Sequence, residues 1–214
     1  MINKIAFLFD LDGVIIDTEP QYDMFWKATA EKYRLGIENF ENIIKGTTLP
    51  FIMSRYFSGF PEETHREIYA ASQAFELEME ILPIPGALAF LEEAKKAEIP
   101  MGLVTSSDDR KIEYVFSRLS IRQYFDSIVS ADRITRGKPD PMCYLSAARD
   151  LGISPAHCYV FEDSFNGIKS GNAAGMKVIG LSTTNTVDSI AKDCLKVIPD
   201  FRTFTIHSLF ISGD

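Results

Sequence analysis

The chain has 214 residues, a formal charge of −8, 46% hydrophobic and 24% charged residues. This length fits one large domain or a domain with a sizeable insert, and the composition excludes a disordered or fibrous chain. The acidic balance argues against nucleic acid or an anionic membrane as partner, because either would favour a basic face; a small anionic substrate at a locally positive site remains open.

Ile5–Phe9 is a continuous apolar run that ends at Asp10. It is too short for a signal-peptide core or a membrane span, and it reads as a strand buried on both faces of a parallel sheet. From about Thr18 to Leu82 the pattern is helical only: Gln21–Tyr33, a short piece near Ile37–Ile44, Leu49–Phe57, and Glu62–Ile81 opened by Pro61. Leu82-Pro83-Ile84-Pro85-Gly86 then forms a stiff hinge. Beyond it, strand-like runs at Pro100–Thr105, Cys158–Phe161 and Lys177–Leu181 alternate with helical patterns at Gly86–Ala97, Asp109–Leu119, Asp140–Leu151 and Ser164–Ala174. Alternation of this kind means βαβ units. The expected fold is α/β: a doubly wound parallel-sheet core (residues 1–16 and 83–214) with an inserted small all-helical cap (17–82). Cys143, Cys158 and Cys194 are odd in number and show no Cys-x-x-Cys, as expected of reduced thiols in a cytoplasmic protein.

In open parallel sheets, ligands bind beyond the carboxyl ends of the strands. The residues there are Asp10-Leu-Asp12-Gly13 after the first strand, Thr105-Ser106-Ser107 after the second, and Glu162-Asp163-Ser164 after the third, with Gly137-Lys138-Pro139 between. Asp10 and Asp12 share period-2 spacing, and Gly13 permits a tight turn. Two carboxylates about 4 Å apart repel by about 4 kcal/mol at an effective dielectric near 20. Asp10, Asp12, Glu162 and Asp163 together therefore call for a cation, and an all-oxygen donor set favours a hard ion such as Mg²⁺.

Thr105 and Ser106 precede a helix, where a hydroxyl and backbone N–H groups can cradle phosphate; capping by Ser106 or Ser107 is the simpler alternative. Lys138, read alone, is a solvated lysine, but beside the carboxylates it offsets charge and holds a phosphate oxygen. Ser164 reads as a possible helix cap. His65, His157 and His207 stand apart from this group, and no Ser-His-Asp, P-loop or dinucleotide fingerprint is present.

Taken in order, Asp10-Leu-Asp-Gly-Val-Ile-Ile-Asp17, Thr105-Ser106, Lys138-Pro139 and Glu162-Asp163-Ser-x-x-Gly167 resemble the four motifs of the haloacid-dehalogenase superfamily of phosphohydrolases. The helical insert is similar to the cap of its β-phosphoglucomutase-like branch. The resemblance implies Asp10 as nucleophile forming an aspartyl-phosphate, Asp12 as general acid and then base, and Thr105 and Lys138 as phosphoryl holders. It also implies Mg²⁺ bound by Asp10, the Asp12 carbonyl and Asp163, with Glu162 nearby or bound through water. Gly13, Thr18, Lys45, Gly46, Ser106 and Ser107 become the candidate substrate and phosphate contacts.

A mutase must grip a bisphosphate at both ends. Against the mutase pattern, this chain has Thr47-Thr48-Leu49 where an arginine should follow Lys45-Gly46, Tyr22 at the expected histidine, and Asp108 at the expected lysine. A phosphatase acting on a small metabolite such as a sugar phosphate is favoured. A β-phosphoglucomutase is the alternative, in which Arg55 would supply a cation from elsewhere, and an inactive phospho-ligand-binding relative is the third reading. Neither nucleic acid nor membrane is expected as partner, and the chain is expected to be a monomer or weak homo-oligomer.

Overall fold

The computed structural model describes residues 5–209; the outer ends of the expected core, residues 1 and 214, and the first four residues of the N-terminal sequence lie outside them. The described residues form one six-stranded parallel sheet: β1 (Ala6–Phe9), β2 (Met101–Val104), β3 (Ser127–Val129), β4 (Cys158–Glu162), β5 (Lys177–Leu181) and β6 (Lys196–Ile198). Their spatial order is β3-β2-β1-β4-β5-β6. The chain thus builds outward from β1 to one edge, crosses back, and builds to the other. β1 sits at the reversal, paired with β2 and β4, which is where a doubly wound sheet opens a crevice.

Alternation along the strands sorts two apolar layers. Phe7, Phe9, Leu103 and Phe161 face α5 (Ala87–Lys96) and α6 (Asp109–Arg118). Ala6, Leu8, Val160 and Val178 face α7 (Met142–Leu151) and α8 (Phe165–Ala173), with Ile190 of the short α9 (Val187–Ile190) in the same layer. The first layer is aromatic: Phe9 stacks on Phe161 at 4.7 Å and Phe7 on Phe90 at 5.8 Å.

Between β1 and β2 lie α1 (Glu19–Lys32), α2 (Phe40–Ile43), α3 (Leu49–Tyr56) and α4 (Glu62–Glu78). They close over a separate apolar cluster of Trp26, Phe40, Ile44, Ile52, Met53, Phe57 and Ile68. The two chain segments that enter and leave this helical unit pair with each other, through Asp17 N–H to the Leu82 carbonyl at 2.8 Å and Ile84 N–H to the Ile15 carbonyl at 2.9 Å.

Four details differ from the sequence reading. β3 and β6 are extra strands of three residues each, too short for a periodic signal. α4 stops at Glu78, where Met79 turns extended (ψ 140°), rather than at Ile81. α7 starts at Met142 behind Pro141, not at Asp140. α6 is capped by Asp108, whose carboxylate accepts from Lys111 N–H at 2.9 Å, and not by Ser106 or Ser107. Ser164 does cap α8, accepting from Gly167 N–H at 3.0 Å.

Candidate active site

Each strand end delivers its residues by continuing the ladder a step further. Asp10 N–H donates to Phe161 O at 3.1 Å and Thr105 N–H to Val129 O at 2.9 Å, so both side chains emerge from ordered backbone. After Asp12 the chain must turn. Gly13 takes φ +71°, and a Cβ there would lie 2.1 Å from Asp163 Oδ2. Only glycine allows the first and fourth motifs this approach.

Lys138 Nζ lies 3.0 Å from Asp10 and 2.6 Å from Glu162, with all three side chains almost wholly buried. Burial alone would lower the lysine's pKa, but Asp10 and Glu162 hold it above its ordinary value. Burial pushes Asp10 up to about 7 against the pull of Lys138, with Glu162 and Asp12 adding to the rise. Asp163 is raised well above the usual range, first by burial and then by repulsion from Glu19, Glu162 and Asp10. Three buried carboxylates thus crowd around one lysine.

Oxygens of Asp10, Glu162 and Asp163 lie within 4.8 Å of one another. This hard-donor cluster fits a Mg²⁺ ion, which would relieve the repulsion the single lysine leaves. The roles within it differ. Glu162 already accepts from Lys138, Tyr144 Oη (2.9 Å), the backbone N–H of Asp163 (3.0 Å) and Ser164 (3.1 Å), and Ser164 Oγ (3.1 Å). That saturation suits a residue that fixes the loop. A Cβ on Gly167 would fall 1.7 Å from Glu162 Oε1, so the glycine of the fourth motif makes room for this carboxylate. Asp163 instead accepts from Thr184 Oγ1 and faces the cavity.

Asp12 is held by Thr18 Oγ1, by Ser107 Oγ at 3.1 Å, and by Lys111 Nζ at 2.5 and 2.6 Å to its two oxygens. Lys111 is fully buried, and its ammonium lies 4.5 Å from the centre of the Tyr22 ring. The sequence reading missed Lys111. Its signal was present: a lysine one residue before Ile112 and four before Val115, on the apolar stripe of α6, where an unpaired charge is costly.

Asp10, Asp12, Thr105, Ser106, Ser107, Asp163, Lys45 and Gly46 all line one cavity of about 270 Å³ between the sheet and the helical unit. Thr18, Gly13, Lys138 and Glu162 do not line it; they stand behind the residues that do. Thr105 Oγ1 accepts from Ser107 N–H at 3.1 Å, leaving its proton to donate. Ser106 Oγ donates to the Gly46 carbonyl at 2.9 Å, and Asn166 Nδ2 to the Lys45 carbonyl at 2.9 Å. These bonds dock the cap on the core, and Gly46 (φ +74°) permits them: a Cβ there would sit 2.4 Å from Ser164 Oγ. Lys45 itself is paired to Glu19 at 3.3 Å and Asp23 at 2.9 Å. Arg55 is exposed and does not line the cavity.

Residues 6–175 match the family model of the haloacid dehalogenase-like hydrolases. The chain belongs to this family. It is an enzyme of the phosphatase type. Hexitol phosphatase A of Escherichia coli is 34% identical over 181 residues, covering 83% of this chain and 82% of that protein. The β-phosphoglucomutase of Bacillus subtilis is 31% identical over 192 residues, 82% of each chain. The crystal structure of a β-phosphoglucomutase from Clostridium difficile superposes with a TM-score of 0.81 at 27% identity, covering 96% of this chain and 95% of the other. Among the described residues no helix is long and apolar enough to cross a membrane.

Proposed function

We propose that this enzyme hydrolyses monoesters of small phosphorylated carbohydrates, carrying the phosphoryl group transiently on Asp10. The observation that carries the reading is the placement of Asp10 and Asp12 on one cavity wall, each with a buried lysine beside it: Lys138 at 3.0 Å from Asp10 and Lys111 at 2.5 Å from Asp12. An Asp10 oxygen attacks phosphorus and the ester P–O bond breaks. The leaving oxygen takes a proton from Asp12, giving the free sugar and an aspartyl-phosphate. Water then attacks that phosphorus, Asp12 takes a water proton, and the P–O bond to Asp10 breaks to release phosphate. Thr105 holds a phosphoryl oxygen throughout; Lys138, expected to do the same, instead holds Asp10 from behind the wall, its ammonium also bonded to Glu162 and the Val104 carbonyl, while the docked cap limits water. Asp10 and Asp163, with the Asp12 carbonyl, would hold Mg²⁺, which supplies charge stabilisation for the transferring group.

Hydrolysis is favoured over a mutase because, among the described residues, the cavity-lining part of the helical wall offers no uncommitted cation for a second phosphate. Tyr22 lies where a mutase histidine was expected, Lys45 is committed to Glu19 and Asp23, and Arg55 is exposed and does not line the cavity. The hexitol phosphatase relative points the same way. The test is phosphate release from a panel of sugar and sugar-alcohol phosphates with Mg²⁺, with an Asp10→Asn control. Release that requires both Mg²⁺ and Asp10 supports the reading. Conversion of β-glucose 1-phosphate to glucose 6-phosphate in the presence of a bisphosphate primer, without release, establishes the mutase.

A further inference from the structure

Outside the catalytic acids, the charged side chains that line the cavity are Glu19, Asp23, Glu41, Glu76, Asp108 and Asp132, against Lys45. That single lysine is tied by two of these acids, and its side chain is only 12% exposed. The neighbouring cation, Arg110, is spent on Glu76 at 3.0 Å and Asp108 at 3.6 Å. Glu76 also accepts from Tyr22 Oη at 2.9 Å. Both described cations near the far end of the cavity are thus ion-paired, although Arg110 Nε keeps a buried N–H without a partner among the described residues, and carboxylates outnumber them. Glu19 Oε2 and Asp23 Oδ1 are buried, and the described cation beside both is Lys45, whose Nζ lies 3.3 and 2.9 Å from them. Their remaining lone pairs can accept from whatever fills the space. Burial first, and then Asp12, pushes Glu19 up to about 7, and burial likewise raises Glu76.

We propose that this wall is an anion filter: it admits phosphomonoesters whose leaving group is uncharged or carries an amine, and rejects those bearing a carboxylate or a second phosphate. Hydroxyl and ammonium groups donate to the remaining lone pairs of these carboxylates; a second anion meets like charge in a half-desolvated space, with Glu19, Asp23 and Glu76 as the deciding residues. The inference rests on the phosphatase reading and narrows it.

The experiment compares sorbitol 6-phosphate with 6-phosphogluconate, which differ at one terminal carbon (alcohol against carboxylate), and glucose 6-phosphate with glucosamine 6-phosphate, all with Mg²⁺. Each is measured by turnover and by competition against p-nitrophenyl phosphate. The expected result is a kcat/KM, or competing strength, at least about 30-fold greater for sorbitol 6-phosphate than for 6-phosphogluconate. Glucosamine 6-phosphate should do at least as well as glucose 6-phosphate. In the Glu19→Gln/Asp23→Asn variant, which frees Lys45, the first gap should shrink to within about fivefold because 6-phosphogluconate improves. Equal behaviour of the alcohol and the carboxylate in the parent enzyme, whether both are accepted or neither, overturns the filter. So does a gap the double variant leaves unchanged. Absence of Mg²⁺-dependent release even from p-nitrophenyl phosphate overturns the phosphatase reading instead.

Discussion

The cavity has two walls that use the same chemistry to opposite effect. On the sheet side, Lys138 and Lys111 are 1% and 0% exposed and each grips a carboxylate that the proposed mechanism uses. On the helical side, Lys45 and Arg110 are 12% and 35% exposed and grip acids that take no part in the chemistry. A pair buried on its cationic side holds one geometry and is costly to break; a half-wet pair is weak and exchangeable. In the proposed mechanism the sheet wall fixes what is done to the phosphoryl group, and the helical wall tunes what it may be attached to.

The sharpest way to break the comparison is at Asp12. Asp12→Ala should slow turnover by roughly 10²–10⁴, read as steady-state kcat; equal rates in mutant and parent would remove Asp12 from the mechanism. Next comes Lys111→Met, which leaves the charge of Asp12 without its buried partner. By analogy with the loss of groups that orient a ligand, kcat should fall about 10- to 100-fold. The loss should be in kcat more than in KM, because Lys111 acts through Asp12; a change confined to KM would make it a mere wall residue.

Gly46→Ala probes the join between the walls. The left-handed backbone costs about 1–2 kcal/mol for a residue with a Cβ, and the new methyl meets Ser164 Oγ at 2.4 Å. A drop in kcat/KM of about 5- to 30-fold is expected, partly restored by adding Ser164→Gly. No recovery in the double variant would mean the contact is not what limits docking.

The smallest effect is a pH dependence at Glu19. Its folded pKa of about 7 lies above the ordinary 4.5, so between these values the folded state holds more proton than the unfolded. Stability then falls as pH rises from about 4.5 to about 7, and the deficit persists above. Glu19→Gln removes the deficit. Its Tm should exceed the parent's at pH 8, and the gain should vanish below about pH 4.5. A gain that is the same at both pH values would assign it to packing instead.

Much of the site was legible because its chemistry sits at strand ends, where an apolar run stops on a carboxylate or a hydroxyl. Asp10, Thr105 and Glu162 were found that way, and the inserted helices announced themselves by period. Lys111 was passed over because a lysine on a helix is normally read as solvated; only the partner Asp12, 99 positions away, gives it a reason to be inside. Asp108 was weighed as a missing lysine, whereas locally it is a helix cap. The edge strands β3 and β6 hold three residues each and draw their stability from neighbours, a long-range fact that no local pattern encodes. The ties of Lys45 to Glu19 and Asp23 needed the folded cap, since they link α1 to the loop after α2.

The bonds from Ser106 and Asn166 to the carbonyls of Gly46 and Lys45 carry one more consequence. Both donors reach for main chain, so the seat of the helical unit does not depend on which side chain occupies position 45. That position can be rewritten, acid for base or polar for apolar, while both bonds to main chain remain available. The seat of the helical unit is thereby separate from the side chain it presents to the cavity at position 45.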